Sequence, residues 1–235
     1  MKYNPIKKIL ILVTILAVPG FLYYLLQEKG KNRYRPLSIF GPKQIAKTFH
    51  SVRGKQVPDT IYHVLPNFNL VNQNGTKVNW ETYKGKIVLF NLFYTKGNTP
   101  GMQAANQSMA KFAQSYANNS MVHFVGLTID PSTDQPAQLQ QYLSHENKHP
   151  AKWDLLTGDT ATVKHLIGQG LLLDAVKTMV QGQPKFTFSN MFVLVDTEHR
   201  IRGYYEATNA EALSKLDDEI KVLIAEELRN VKDGR

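Results

Sequence analysis

The sequence predicts an α/β domain in which helices flank a mixed sheet, and three observations carry that prediction. Two apolar runs, Lys86–Tyr94 (KIVLFNLFY) and Met121–Asp130 (MVHFVGLTID), are rich in strand formers. Both are too short for free-standing helices, and continuous apolar runs of this kind read as strands buried on both faces. Between them Met102, Ala105, Met109, Phe112 and Tyr116 recur at helical spacing, as in an amphipathic helix with one apolar face. Hairpin signals stand at both ends of this core, so parallel and antiparallel pairs must share one sheet.

The elements follow in order. Ile9 to Leu26 (ILILVTILAVPGFLYYLL) is an uncharged run after Lys7-Lys8. As a helix it would span roughly 27 Å, near the thickness of a bilayer's hydrocarbon core. Tyr23 and Tyr24 suit an interfacial belt. A cleaved signal peptide is the competing reading, but no A-x-A site follows and an uncleaved anchor fits better. Residues 1–27 are therefore expected to form a membrane anchor and 28–57 a basic, proline-containing stalk. The folded domain is expected over 58–235. Asn67–Asn72 alternates like a short half-buried strand and leads into the turn signal Asn74-Gly75. Pro136 to about Lys148 reads as a helix, Trp153–Leu156 as a strand, and Asp159 or Thr160 as the cap of a helix through Ile167. Met191–Val195 and Ile201–Tyr205 flank Asp196–Arg200 as a hairpin. Thr208 with Glu211 forms a capping box for a last helix striped by Leu213, Leu216, Ile220, Leu223, Ile224 and Leu228.

Charge and composition exclude several function classes. The chain carries 28 Lys and Arg against 19 Asp and Glu. Two thirds of the excess lies in residues 1–35, where seven basic residues face only Glu28. That placement suits anionic headgroups beside a membrane segment, and no nucleic-acid partner is expected. There is no cysteine, which removes thiol redox chemistry, disulfides and thiolate metal sites.

Several segments together resemble the Sco/SenC family of membrane-anchored, thioredoxin-like copper proteins. Gly85–Leu89 followed by Phe93-Tyr94-Thr95 is similar to the family's first core strand. Thr128–Pro136 (TIDPSTDQP) is similar to its VDPxxDTP segment, and Trp153–Asp159 (WDLLTGD) to its tryptophan-containing LTGD segment. Val193–Asp196 with Ile201–Tyr205 resembles its late hairpin. The resemblance covers roughly residues 58–228 and implies a thioredoxin-like mixed sheet flanked by helices. It also implies copper binding through Cys-x-x-x-Cys and a distant histidine, in copper delivery to, or thiol reduction at, the dinuclear copper site of cytochrome c oxidase. In this sequence the two cysteine positions fall on Gly97 and Gly101 and the histidine position, just before Ser189-Asn190, on Phe188. None of these side chains can donate to Cu(I), which favours soft thiolate and imidazole ligands.

Other candidate groups are weaker. His145-Glu146-Asn147-Lys148-His149 matches H-E-x-x-H, but its flanks are polar, Pro150 ends the helix and no third ligand follows. Met102, Met109, Met121, Met179 and Met191 are soft donors, although Met102 and Met109 lie on the apolar helical stripe and read as core. Lys96 places a positive charge near a helix N-terminus. His123 alternates within a strand and His165 lies on a helix. No G-x-S-x-G, P-loop or dinucleotide fingerprint is present.

The expectation is a non-enzymatic, Sco/SenC-like binding or assembly module with no metal and no cofactor. It would be a single-pass protein of the cell membrane with its domain on the extracytoplasmic, periplasmic side. A respiratory oxidase subunit or a cysteine-bearing Sco-type relative is the expected partner. A copper carrier using substituted Met or His ligands, Met102 or His149 among them, stands as the alternative.

Overall fold

The structure, a computed structural model, describes residues 5–29, 36–52, 54–146 and 152–232. The chain forms two compact units, residues 1–36 and 37–235.

The first unit is a single helix, α1 (Pro5–Lys29), with Pro19 inside it. Its described apolar side chains, among them Ile11, Ile15, Phe21 and Tyr23, are about 60% exposed. Among the described residues no helix is long and apolar enough to cross a membrane. The side chains at 9, 10, 12, 16, 25 and 26 of the expected span lie outside them, so the anchor rests on the sequence.

The second unit opens with a hairpin, β1 (Lys43–Val52) and β2 (Lys55–Tyr62), which forms its own two-stranded sheet. Much of the stretch expected to be stalk is thus regular structure. Then come β3 (Leu70–Asn72), β4 (Lys77–Val78), β5 (Ile87–Phe93), α2 (Pro100–Ser115), β6 (Val122–Thr128), α3 (Pro136–Glu146), β7 (Trp153–Thr157) and α4 (Thr160–His165). A π-helical turn, Leu166–Gly170, extends α4. A second separate hairpin, β8 (Ala175–Val180) and β9 (Gln183–Phe188), precedes β10 (Met191–Val195), β11 (Ile201–Glu206) and α5 (Ala210–Lys232).

The main sheet runs β11-β10-β5-β6-β7-β3-β4. β5, β6 and β7 are parallel, and β10, β11, β3 and β4 add antiparallel pairs at the two sides. Every residue of β5 is buried. Ile87, Leu89 and Phe93 join the core under α2, α3 and α5, which includes Met102, Met109, Leu139, Leu216 and Ile220. Val88, Phe90 and Leu92 join the opposite core with Phe68, Trp80, Tyr83, Val163 and Ile167. Cover on both faces is the physical reason the strand reads as one continuous apolar run. Among the described residues both cores are built from residues after 36, and residues 37–235 form a compact unit of their own.

The ends of α5 and α4 show how local the capping chemistry is. Asn209 Oδ1, not Thr208, accepts the free amides of Glu211 and Ala212 at 2.9 and 3.0 Å, and Thr208 turns back to Glu206. The amide oxygen one residue nearer the helix meets the first-turn N–H groups directly, which displaces the expected capping box. Asp159 caps α4 as the sequence suggests, bonding Ala161 and Thr162 at 2.9 Å.

Candidate functional site

The junction from β5 to α2 is shaped by three local devices. The amide of Gly97 donates to the Tyr94 carbonyl at 3.0 Å and closes a tight turn. Thr99 then caps α2, its hydroxyl accepting from the Met102 amide at 3.3 Å. Pro100 takes the first helical position, where its missing N–H costs nothing. Gly101 lies in this first turn, and its carbonyl accepts from Asn190 Nδ2 at 3.1 Å.

A buried carboxylate fixes the turn from beneath. Asp134 is 1% exposed and accepts from the Thr95 amide at 3.2 Å. It also accepts from the hydroxyls of Thr95 and Thr128. Since Phe93 and Thr128 are register partners on parallel β5 and β6, Asp134 ties both strand ends together. Its neighbour Asp130 accepts from Ser132 Oγ at 2.7 Å and from Lys177 Nζ at 3.1 Å, which links this segment to β8. Burial pushes the Asp130 carboxyl up, but the bonds from Ser132, Thr133 and Lys177 outweigh it and hold it below the usual carboxylate range. Neither aspartate stood out as a site residue in the sequence. The available signal was a pair of carboxylates directly after an apolar strand, where a buried charge demands partners.

Gly97 and Phe188 both lie against Tyr94, whereas a Cβ at Gly101 would face Asn190 Nδ2 at 3.2 Å and Thr208. A Cβ at Gly97 would stand 2.6 Å from Met102 Sδ and 2.8 Å from Tyr94 Cε1. Tyr94 packs in turn against Phe186, with ring centroids 4.7 Å apart, and edge-on against Phe188 at 6.2 Å. Phe188 is partly buried against both cores. The space beside the junction is therefore filled by a thioether and three aromatic rings. Met102 is 2% exposed, as its place on the apolar stripe required, and it is the one soft donor that touches the Gly97 position. Among the described residues no three His, Asp or Glu side chains are placed to hold a metal ion.

This packing sets an expected result. Gly97→Ala should destabilise the domain by about 1–2 kcal/mol, the cost of overpacking a filled site. In a Met102→Ala background the same step should cost less than half as much. Urea denaturation of the four variants measures both steps, and equal costs would show that Met102 does not hold the space.

The remaining candidates lie elsewhere. The H-E-x-x-H motif at 145–149 lies outside the residues whose side chains are described. Lys96 and His165 are exposed. His123 is not a free histidine: its Nε2 lies 2.8 Å from Asp154 Oδ2, and Tyr83 donates to the same oxygen at 3.0 Å. Burial raises the Asp154 pKa, but His123, Tyr83 and Gln73 together bring it below the ordinary value. A shallow cavity of about 400 Å³ lies beside β8, lined by Lys164, Ile167, Leu173, Asp174 and Lys177 among others. It offers no nucleophile and base pair.

Comparison with known proteins places this geometry. A curated relative, the SCO1 protein homolog of Bacillus subtilis (strain 168), is 24% identical over 173 residues, covering 72% of this chain and 86% of its own. A SCO1/SenC family lipoprotein from Bacillus anthracis superposes with a TM-score of 0.60 at 21% identity, covering 69% of this chain and 95% of its own. BsSco, a member of the Sco family of cytochrome c oxidase assembly proteins in which a disulfide switch was identified, superposes with a TM-score of 0.58 at 21% identity, covering 68% and 90%. These likenesses establish the thioredoxin-like fold around the junction. The SCO1/SenC family model matches residues 57–223, well over half of the sequence, and through that match the chain belongs to the SCO1/SenC family.

Proposed function

We propose that this chain is a non-catalytic binding or assembly module in the maturation of a respiratory oxidase, working without the copper and thiol site of its family. One observation carries the reading. Gly97 and Phe188, two of the three positions that the resemblance matches to the family's ligands, stand where Met102, Tyr94 and Phe186 already fill the space, while a Cβ at Gly101 would face Asn190 and Thr208. Glycine and phenylalanine bring no donor there. What the family fold retains is a rigid surface at the β5–α2 junction, held by Asp134. Beside it the β8–β9 hairpin exposes Val176, Met179 and Val180. An oxidase subunit or a cysteine-bearing Sco-type relative is the partner this surface would serve.

The uncharged run Ile9–Leu26 within α1 supports a single-pass membrane anchor with the domain on the extracytoplasmic side. A lipoprotein among the structural relatives agrees with an anchored, extracytoplasmic setting.

The test is Cu(I) affinity of residues 37–235, by anaerobic competition with a chromogenic chelator. No one-to-one binding is expected. Tight binding abolished by Met102→Ala would overturn the reading and favour a copper carrier with a substituted thioether ligand. That alternative draws on a single feature, the Met102 sulfur 2.6 Å from the Cβ position of Gly97. Recovery of a specific oxidase or Sco-type partner from gently solubilised membranes is the expected positive result.

A further inference from the structure

The β1–β2 hairpin exposes apolar side chains for which the fold supplies no cover. Ile45 is 80% exposed, Phe49 61% and Ile61 53%. Among the described residues the two strands pair with each other and with no strand of the main sheet. The register sets Ile45 opposite Thr60 and Phe49 opposite Pro58. Alternation along β2 then places Ile45, Phe49 and Pro58 on one face.

Cations accompany these side chains. Lys43, Lys47 and Lys55 are exposed along the hairpin, and Lys43 lies over the Tyr62 ring at 5.6 Å. The single acidic residue of the two strands, Asp59, is bonded to His50 Nδ1 at 2.6 Å. Lysines and a proline on a free strand are a common protection against edge-to-edge pairing. That protection explains Lys43, Lys47, Lys55 and Pro58, but it gives no reason to expose isoleucine and phenylalanine between them. Apolar side chains interleaved with lysines match the two layers of an anionic membrane surface, acyl boundary and headgroup.

We propose that the β1–β2 hairpin is a membrane-contact element that lies on an anionic lipid surface, with Phe49 and Ile45 entering the headgroup boundary and Lys43 and Lys47 meeting lipid phosphates. The biological setting rests on the anchored reading above, while the contact itself is a property of the second unit. The domain would then be held to the surface at a second point, which limits the orientations its β5–α2 junction can present.

The experiment uses residues 37–235, which contain both cores but lack α1, so that it does not depend on the anchor. Sedimentation is measured with vesicles of phosphatidylcholine alone and of phosphatidylcholine with 30% phosphatidylglycerol, a mixture of about physiological anionic content. The expected result is binding to the anionic vesicles that is lost in high salt. Phe49→Ser with Ile45→Ser, or Lys43→Glu with Lys47→Glu, should each weaken it about tenfold or more. Circular dichroism checks that both variants remain folded, as substitutions at exposed sites should. Absence of binding to anionic vesicles overturns the proposal, as does binding that survives both variants. Dimers lost on Phe49→Ser would also overturn it, because a second copy would then cover the face. Failure of the anchor would appear separately, as release of the full chain from membranes by salt or alkali.

Discussion

Arg202→Ala is expected to cost about 3–5 kcal/mol of folding stability, the range for removing one partner of a buried ion pair. The Arg202 side chain is 1% exposed and Asp196 is wholly buried. The guanidinium donates to Asp196 Oδ2 at 3.0 Å, to both oxygens of Glu226 at 2.8 and 2.9 Å, and to the Leu37 carbonyl at 2.7 Å. Glu226 in turn accepts from the Leu37 amide at 3.2 Å. One cation therefore joins β11, the β10–β11 turn, α5 and the first residue of the second unit. Alanine would leave Glu226 without its cation and the part-buried Leu37 carbonyl without this donor. Asp196 would keep Arg200 Nε at 2.8 Å and the amides of Glu198 and Arg200, which keeps the loss inside this range. Urea denaturation of residues 37–235 measures it, and hydrogen exchange at the Leu37 amide should accelerate with it. A loss below 1 kcal/mol would show that the network merely occupies space. Arg202→Lys should recover only part of the stability, since a point charge cannot bond an aspartate, a glutamate and a carbonyl at once.

None of this network was legible in the sequence. Arg202 stands in a strand pattern where an arginine ordinarily points outward, and its partners lie 6, 24 and 165 residues away. The features that did show in the sequence have a local or periodic cause. β5 and β6 showed as continuous apolar runs because the sheet is covered on both faces. α2 and α5 showed their stripes because each rests one face on a core. The β3–β4 turn showed through Asn74-Gly75, and Gly75 does take a positive φ of 74°.

The two free hairpins stayed hidden for the opposite reason. β1 and β2 are exposed on both faces, so no period-two burial pattern is written into them. A register shift between Ile45 and Phe49 breaks even the pattern that remains. β8 and β9 are similarly open, and their turn rests on Gln181 and Gly182, both at positive φ. At the junction, the family resemblance matches Gly97, Gly101 and Phe188 to the ligand positions. That Met102 and Tyr94 crowd the Gly97 position depends on tertiary packing, which a stripe of apolar residues does not specify.

Asp134→Ala is expected to cost about 3 kcal/mol, because it strips a buried carboxylate from three donors at once. Those donors are the Thr95 amide and hydroxyl and the Thr128 hydroxyl. Two sit just beyond β5 and one ends β6, so the loss falls on the carboxyl ends of two central parallel strands. Thr95 follows Tyr94 directly, and Tyr94 carries both the Gly97 turn and the ring that packs on Phe186 and Phe188. The variant should therefore loosen the site more than it loosens the cores. Hydrogen exchange at Thr95 and Gly97 should rise by more than the global stability change accounts for. Asp134→Asn should lose less, since one amide oxygen still accepts, although its NH₂ meets hydroxyls already committed as donors. Asp130→Ala is the contrast. Its bond to Lys177 is partly solvent-screened, the lysine being 44% exposed, and its loss should stay near 1 kcal/mol. If Asp134→Ala and Asp130→Ala proved equal, the junction would be held by the packing of Tyr94 and Met102 instead of by the carboxylate. The same pair of variants bears on the partner surface. A partner that reads the β5–α2 junction should lose affinity with Asp134→Ala at temperatures where the domain remains folded, and should be far less sensitive to Asp130→Ala.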